Sequence, residues 1–228
     1  MAKNIVPVIT STAAHALGAV TELAAVTGSP ALDTATDIIT FTDADVGDTH
    51  VVSAVALGVG YVGTFTPTLV ADSQNNATGQ VQWTFSVADS AIDFLAAGQT
   101  LTQSYTVSIN DQHGGIVTQT VTVTITGTND LPIVTAAGTN AAGTVTELPG
   151  VTGSTVVDQT TGTISYTDAD RTDTHTVGAP VALGTGYLGT FTVVPAADST
   201  NGVTGAVQWN FSVVDSQLDF LAAGQTLV

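Results

Sequence analysis

Residues 81–87 read Val-Gln-Trp-Thr-Phe-Ser-Val, a strict alternation of apolar and polar side chains. In an extended chain, successive side chains point to opposite faces, so Trp83 and Phe85 share one face with the two Val residues. Residues 121–126 alternate in the same way between Val or Ile and Thr. Both stretches predict antiparallel strands that are buried on one face, with Trp83 and its later counterpart Trp209 in a core.

Similar segments, rich in Val, Ile and Thr and separated by Gly, Asn and Asp, recur along the first half of the chain. They predict about eight strands, at residues 5–10, 19–23, 37–42, 51–57, 63–70, 80–88, 101–109 and 116–126. No segment predicts a helix of ordinary length. Many short strands between regularly spaced turns indicate an all-β protein of antiparallel β-sandwiches, immunoglobulin-like or cadherin-like in architecture.

The sequence contains two copies of one repeat. Thr21-Glu22-Leu23 recurs 125 residues later as Thr146-Glu147-Leu148, and residues 93–101 recur unchanged 126 residues later as residues 219–227. We therefore predict two tandem cadherin-like sandwich domains, at residues 1–128 and 129–228. The second copy contains no counterpart of residues 104–130, so this domain is predicted to be C-terminally truncated. Two strands are then missing, and we expect an open sheet edge that permits self-association.

The charge balance excludes several classes of partner. The chain has 19 acidic residues against two basic ones, Lys3 and Arg171, and a formal net charge of −17. Nucleic-acid binding requires basic residues that displace phosphate counterions, so DNA and RNA are excluded, and so is an anionic membrane surface. No apolar run approaches the roughly 18 residues of a membrane span, so membrane insertion is not expected.

The acidic residues themselves predict a metal ion. All but two of the 19 are Asp, which is typical of turns and of calcium-binding loops. Three of them fall within six residues after a predicted strand, and the second copy repeats all three. The two sets are Asp43, Asp45 and Asp48, and Asp168, Asp170 and Asp173. Calcium takes about six to eight oxygen ligands, so these loops predict Ca²⁺ binding, although turn capping by the same residues is the alternative.

The junction between the copies carries the most specific resemblance to a known family. It reads Gly-Thr-Asn-Asp-Leu-Pro at residues 127–132, and it follows an Asn-Asp-Gln-His-Gly-Gly turn at residues 110–115. With the Leu-x-x-Gly-Gln-Thr-Leu stretch at residues 95–101, it resembles the VCBS repeat, named for Vibrio, Colwellia, Bradyrhizobium and Shewanella, of very large bacterial adhesins. It is also similar to the cadherin-like domains of the small rhizobial Rap adhesins.

This resemblance implies a secreted, calcium-binding adhesin or lectin that recognises acidic exopolysaccharide in a bacterial biofilm or on the cell surface. Export would follow the type I route. The resemblance also implies two calcium sites built from equivalent residues of the two copies. The ligands would be Asn129, Asp130, Glu147, Asp168 and Asp170 at one site, and Glu22, Asp43 and Asp45 at the other. The alternative function is a calcium-rigidified spacer within a larger adhesin.

An enzyme is not predicted. A catalytic carboxylate pair needs an asymmetric environment, whereas these acids occur in same-sign clusters in both copies. Tyr61 and Tyr187, each in a Gly-x-Gly-Tyr-x-Gly loop, are candidates for a ligand surface. His50 and His175 close the two Asp loops, and we expect them to be ordinary surface histidines, the alternative being that they contact a ligand or tune the site.

Overall fold

The computed structural model describes residues 3–75 and 77–228. The chain divides into two compact units, unit 1 at Met1–Leu131 and unit 2 at Pro132–Val228. The predicted boundary, between residues 128 and 129, lies three residues earlier. The helices of the described chain are single 3-10 turns at Ala13–Ala16, Asp89–Ala91 and Asp215–Gln217. No helix among the described residues has the length and hydropathy needed to span a membrane.

The described part of unit 1 contains eight strands, as the sequence predicts. They are β1 Val8–Ile9, β2 Leu17–Thr21, β3 Leu32–Thr42, β4 Val51–Ala56, β5 Thr64–Ala71, β6 Gly79–Ala88, β7 Thr100–Asn110 and β8 Ile116–Thr126. One sheet has the order β1-β3-β6-β5 and the other has the order β2-β8-β7-β4. The two sheets pack face to face around one core, so unit 1 is an all-β sandwich.

One strand pair departs from the predicted antiparallel arrangement. Strand β2 runs parallel to β8, with Leu17 opposite Thr122 and Thr21 opposite Thr126. The physical reason is that the chain passes from one sheet to the other between β1 and β2 without reversing its direction. In consequence, Glu22 after β2 and the junction residues after β8 meet at the same end of the sandwich.

Stacked aromatic side chains join the two sheets of unit 1. Trp83 is fully buried, as predicted, and its indole N–H donates a hydrogen bond to the backbone carbonyl of His15 at 2.8 Å. Phe65 of β5 stacks on Trp83 of β6, with ring centroids 5.9 Å apart, and on Tyr105 of β7 at 4.3 Å. Since Tyr105 belongs to the opposite sheet, this stack links both layers of the core.

The described part of unit 2 contains four strands in one sheet. They are β9 Ile133–Asn140, β10 Val157–Thr167, β11 Thr190–Ala197 and β12 Gly205–Val214, in the order β11-β12-β10-β9. This sheet corresponds to the β5-β6-β3-β1 sheet of unit 1. We expected two strands to be missing, but residues 142–146 and 176–182, the counterparts of β2 and β4, are not strands either. Their hydrogen-bonding partners in unit 1 are β8 and β7, which have no counterpart in this sequence.

A glycine in the first sheet provides a test of this packing. Gly79 lies opposite Phe41, and a Cβ at Gly79 would come within 2.4 Å of the Phe41 ring. We expect Gly79→Ala to lower the free energy of unfolding of unit 1 by about 1–3 kcal/mol, because the core is then overpacked. Gly47→Ala is the matched control, since a Cβ there meets nothing within 4 Å. In urea denaturation with EDTA, the free energy of unfolding of this control should stay within about 0.5 kcal/mol of the wild type. Equal losses of stability in the two variants would contradict the packing of Phe41 on Gly79.

Candidate calcium-binding clusters

The acidic side chains do not lie on the open surface. All 19 fall within the described chain and none is exposed, nine being buried and the others partly buried. Asp and Glu are rarely buried unless a basic side chain or another group pairs with them. The sequence contains one Lys and one Arg, too few to pair with nine buried acids. Capping of wet surface turns therefore does not account for this burial. The buried nine are Glu22, Asp43, Asp89, Asp93, Asp111, Asp130, Asp168, Asp170 and Asp215.

One carboxylate cluster lies at the end of unit 1 where β2 and β8 end. We call it the linker-end cluster, and its members are Glu22, Asp93 and Asp130, which offer one ligand atom each within 4.8 Å of one another. Their exposed fractions are 3%, 8% and 1%. Three separate chain segments contribute, one after β2, one before β7 and one after β8.

Backbone N–H groups orient two of these carboxylates. Thr128 N–H donates to Glu22 Oε2 at 2.7 Å, and Gly28 N–H donates to Asp93 Oδ2 at 2.7 Å. The other oxygen of Asp93, Oδ1, is buried and has no hydrogen-bond partner among the described residues. A buried polar atom left in this state is unfavourable, and a cation held by the cluster would satisfy it.

A pair of facing carboxyl groups lies at the same end of unit 1. Burial raises the pKa of Asp33 on β3, and the charge of Asp89 and a hydrogen bond with Asp89 raise it further. Unit 2 repeats the pair, because burial, followed by the charge of Asp215 and a hydrogen bond with it, raises the pKa of Asp158. Burial and a neighbouring carboxylate therefore both disfavour the ionised form of Asp33 and of Asp158.

A second carboxylate cluster lies at the opposite end of unit 1. We call it the loop-end cluster, and its members are Asp43, Asp48 and Asp111, with ligand atoms within 4.8 Å of one another. Asp43 and Asp48 follow β3. Asp111 follows β7, whose last residue, Asn110, lies opposite the first residue of β4. Because β7 runs the length of the sandwich, the two clusters are separated by roughly 30 Å.

Asp111 is held in place by three hydrogen bonds. The N–H groups of His113 and Gly115 each donate to its Oδ1 at 2.8 Å, and the Asn4 side-chain amide donates to its Oδ2 at 2.9 Å. Burial alone would raise the pKa of Asp111, but these hydrogen bonds outweigh burial and lower it. Asp111 is thus stabilised as a carboxylate, the state that binds cations.

His50 lies beneath the loop-end cluster and bridges two carboxylates. Its Nδ1 is 2.6 Å from Asp72 Oδ1, and its Nε2 is 3.2 Å from Asp43 Oδ2. It is 5% exposed, so the prediction of an ordinary surface histidine is wrong for this residue. The bridge orients Asp43, whose oxygens retain lone pairs for a metal ion.

The same bridge recurs in unit 2. His175 Nδ1 lies 2.6 Å from Asp198 Oδ1, and His175 Nε2 lies 2.9 Å from Asp168 Oδ2. Burial lowers the pKa of His175, but the hydrogen bonds to Asp168 and Asp198 outweigh it and raise the pKa. The hydrogen bond from His175 lowers the pKa of Asp198. Both ring nitrogens donate in the imidazolium form, so protonation of His175 would place a positive charge between Asp168 and Asp198.

The predicted calcium ligands fall into groups that differ from those expected. Glu22 was grouped with Asp43 and Asp45, whereas the structure places Glu22 in the linker-end cluster and Asp43 in the loop-end cluster. The reason is that β2 and β3 finish at opposite ends of the sandwich. Asp45 lies beside the loop-end cluster, where its N–H donates to Asp43 Oδ1 at 2.8 Å and its Oδ2 accepts from Ile5 N–H at 2.7 Å. Asn129 is exposed, and its amide donates to the Asp130 carbonyl.

The predicted ligands of unit 2 form part of the same pattern. Asp170 N–H donates to Asp168 Oδ1 at 2.9 Å, as Asp45 does to Asp43, and both Asp168 and Asp170 are buried. Glu147 and Asp173 are partly buried. Within the described ranges, groups of three carboxylates occur in unit 1. At the repeat offset, the counterparts of Asp111 and Asp130 would fall after Val228, so the sequence holds no third member for unit 2.

Sequence reasoning did not identify two cluster members, Asp93 and Asp111, as ligands. Asp93 opens the nine-residue stretch that recurs unchanged from Asp219, and this recurrence is a signal in the sequence. Asp111 opens the turn between β7 and β8, and strand pairing is needed to place it beside the Asp43 loop.

Tyr61 and Tyr187, the two tyrosines predicted to form a ligand surface, differ in exposure and contacts. Tyr61 is partly buried, its hydroxyl accepts a hydrogen bond from Ser104 N–H at 3.1 Å, and its ring meets Tyr105 edge-on at 5.4 Å. Tyr61 is therefore part of the packing at the edge of the core. Tyr187 is 63% exposed and presents its ring to solvent.

Comparison with known proteins gives a distant structural likeness. No protein-family model matches the sequence, and no curated protein matches it. Among solved structures, PapD-like domain 7 of human CEP192, an ASH / PapD-like domain, is similar to 56% of this chain over 89% of its own length. The identity is 12% and the TM-score is 0.32. A likeness this weak carries no argument about function, and the all-β assignment stands on the strand pairing itself.

The carboxyl pair predicts an unusual pH dependence for Asp33→Asn. The folded-state pKa of Asp33 is raised, so the wild type loses stability as the pH rises from the unfolded pKa of about 3.9 through the folded pKa. An amide does not titrate, so the variant should be more stable than the wild type at pH 7. The gain should vanish below about pH 4, where the wild-type carboxyl is protonated in both states.

Asp37→Asn is the control of opposite sign. Burial raises the pKa of Asp37, but the hydrogen bonds from His15 and from Ile38 N–H outweigh burial and lower it. This variant should be less stable than the wild type at pH 7. Chemical denaturation across a pH series measures both variants, and parallel pH profiles would contradict the raised pKa of Asp33.

The linker-end cluster predicts that Asp93→Asn acts in opposite directions with and without calcium. Removing one charge relieves repulsion of about 3 kcal/mol per pair at an effective dielectric constant of about 20, so the melting temperature in EDTA should rise. The response to calcium, about 2.7 kcal/mol for a site at 100 times its dissociation constant, should shrink. Asp219→Asn is the matched control, because Asp219 accepts the equivalent Gly153 N–H bond at 2.7 Å. An unchanged calcium response in Asp93→Asn would contradict the site.

Proposed function

We propose that this chain is a calcium-binding β-sandwich protein of the bacterial cell surface or extracellular matrix, where it acts as an adhesin. The observation that carries the proposal is the linker-end cluster. Three separate segments bring buried carboxylates within 4.8 Å of one another, and Asp93 Oδ1 has no hydrogen-bond partner in the part of the chain that the structure describes. Such an arrangement is unfavourable without a cation and favourable around one.

The donor set suits calcium better than other metals. Both clusters offer carboxylate oxygen, the ligand of hard cations, and the sequence has no cysteine for soft metals. Ligand oxygens on opposite sides of a calcium ion lie about 4.6–5.2 Å apart, so a spacing of up to 4.8 Å fits one calcium ion. Magnesium, with its shorter bonds, requires a tighter and octahedral arrangement.

Charge explains why adhesion to an acidic polysaccharide would depend on calcium. The protein has a formal net charge of −17, so a polyanion is repelled unless a cation lies between the two. Beside the loop-end cluster, a shallow cleft is lined by polar residues that include Asn4, Asp48 and His113. A calcium ion there would have room to accept ligands from the protein and from acidic exopolysaccharide together.

A second function, a calcium-rigidified spacer of a larger adhesin, is favoured by two observations. Asn4 and Ile5 dock at the loop end of unit 1 and Asp130 belongs to its linker end, so cations would stiffen the points where the chain enters and leaves the unit. In addition, Tyr61 is engaged in packing rather than presented to a sugar. Glycan binding distinguishes the spacer from the adhesin.

The experiment is retention of the full chain on immobilised acidic exopolysaccharide, with a neutral glucan as the reference surface. We expect retention on the acidic polymer in millimolar calcium, release by EDTA, and weaker retention after Asp48→Asn. Thermal melting in the same buffers supplies the second readout. A calcium-stabilised protein that binds neither polymer would establish the spacer, and a protein indifferent to calcium in both assays would overturn the proposal.

A further inference from the structure

The inner face of the unit 2 sheet is less covered than the same face in unit 1. Four side chains of unit 1 are 0% exposed, whereas their counterparts in unit 2 are partly exposed. The pairs are Ile39 and Ile164, Phe41 and Tyr166, Val81 and Val207, and Phe85 and Phe211. Phe191 and Phe220 are 45% and 63% exposed. An apolar face of this kind on a folded sheet marks a binding surface.

In unit 1, the β7–β8 hairpin covers this face. Inward side chains alternate with outward Thr and Ser along most of both strands. Gln103 is inward and buried, and so are six apolar side chains. They are Tyr105, Val107, Ile109, Val121, Val123 and Ile125. Tyr105 lies 4.3 Å from Phe65 by ring centroids, on the opposite side from Trp83. In unit 2, Phe191 stacks on Trp209 at 5.7 Å in the same manner, and 45% of Phe191 remains exposed.

Two segments of unit 2 correspond to the strands that hydrogen-bond the hairpin in unit 1. Residues 142–146 correspond to β2, and they already lie on the face, because a Cβ at Gly143 would come within 2.6 Å of Trp209, as one at Gly18 would come within 2.8 Å of Trp83. Residues 176–182 correspond to β4. Pro180 is inserted there, which an edge strand tolerates. Neither segment is a strand in the structure.

We propose that the inner face of unit 2 binds a β-hairpin of the β7–β8 type, with two strands of about eleven residues whose inward side chains are aliphatic or aromatic. One strand would pair in parallel with residues 142–146 and the other antiparallel with residues 176–182, as in unit 1. This is strand addition at two edges together with burial of an apolar face.

Charge favours this occupant over a second copy of the chain. Residues 132–228 contain eight acids and one Arg, a formal charge of −7, so two copies packed face to face would repel each other. Residues 100–126 contain one acid, Asp111, and no Lys or Arg. A nearly neutral hairpin meets the face without this repulsion.

The experiment adds a synthetic peptide of residues 99–128 to the full chain and follows hydrogen exchange. We expect new protection at residues 142–146 and 176–182 and a higher melting temperature for unit 2. Exchange in unit 1 should not change, because its own hairpin already occupies the face. The control is the same peptide with Val107→Asp and Val123→Asp, which places two charges against the apolar face and should give no protection.

A fusion protein provides a second test that does not depend on the solubility of the peptide. Leu227 is the counterpart of Leu101, so residues 103–130 attached directly after Val228 place the hairpin in the repeat register. We expect unit 2 of this fusion to match unit 1 in protection. Protection of unit 2 equal to unit 1 in the unaltered chain would overturn the proposal. So would self-association that the peptide does not reverse, or a lack of effect from both peptide and fusion.

Discussion

Repulsion between buried carboxylates is the constraint on which the rest of unit 1 depends. Two like unit charges 4.8 Å apart repel by about 3 kcal/mol at an effective dielectric constant of about 20, so three ionised carboxylates amount to roughly 10 kcal/mol. This is comparable with the whole stability of a domain, about 5–15 kcal/mol. The sequence contains one Lys and one Arg, so groups other than basic side chains must offset most of this repulsion. Backbone N–H groups and the His50 and His175 bridges orient the carboxylates, and the raised pKa of Asp33 favours its neutral form.

The β7–β8 hairpin connects the electrostatics of unit 1 with its packing. Its inward face supplies six of the 16 buried residues of the core, with Tyr105 stacked on Phe65. Its turn supplies Asp111 to the loop-end cluster, and the residues that follow it supply Asp130 to the linker-end cluster. One supersecondary element therefore closes the sandwich and completes both candidate cation sites. Metal binding and sandwich closure are thereby linked, because a cation that holds Asp111 and Asp130 also holds the hairpin in place.

Local periodicity was sufficient to predict the strands, and it was insufficient to predict the site. The alternation at residues 81–87 correctly places Trp83 in the core, since side-chain direction along a strand depends on local geometry alone. Grouping of the acids depends instead on which strand ends meet. The parallel β2–β8 pair places Glu22 near Asp130 and far from Asp43. The sequence patterns do not distinguish a parallel strand pair from an antiparallel one. The burial of His50 depends in the same way on Asp72, 22 residues further on at the end of β5.

The two units differ in what each requires for stability. Unit 1 has a closed core, and its main source of instability is the repulsion within its two groups of three carboxylates, which a bound cation would relieve. Unit 2 has Glu147 and Asp219 at one end and Asp168 and Asp173 at the other, each pair without the third carboxylate that raises repulsion in unit 1. Fewer like charges reduce the destabilisation of unit 2, and they would also give it a lower affinity for calcium than the proposed sites of unit 1, since affinity follows the number of charged ligands. Its main requirement is instead the missing apolar layer over Phe191 and Phe211. In unit 1 the hairpin turn carries Asp111, so a hairpin with the same turn docked on unit 2 would place a third carboxylate beside the Asp168 loop.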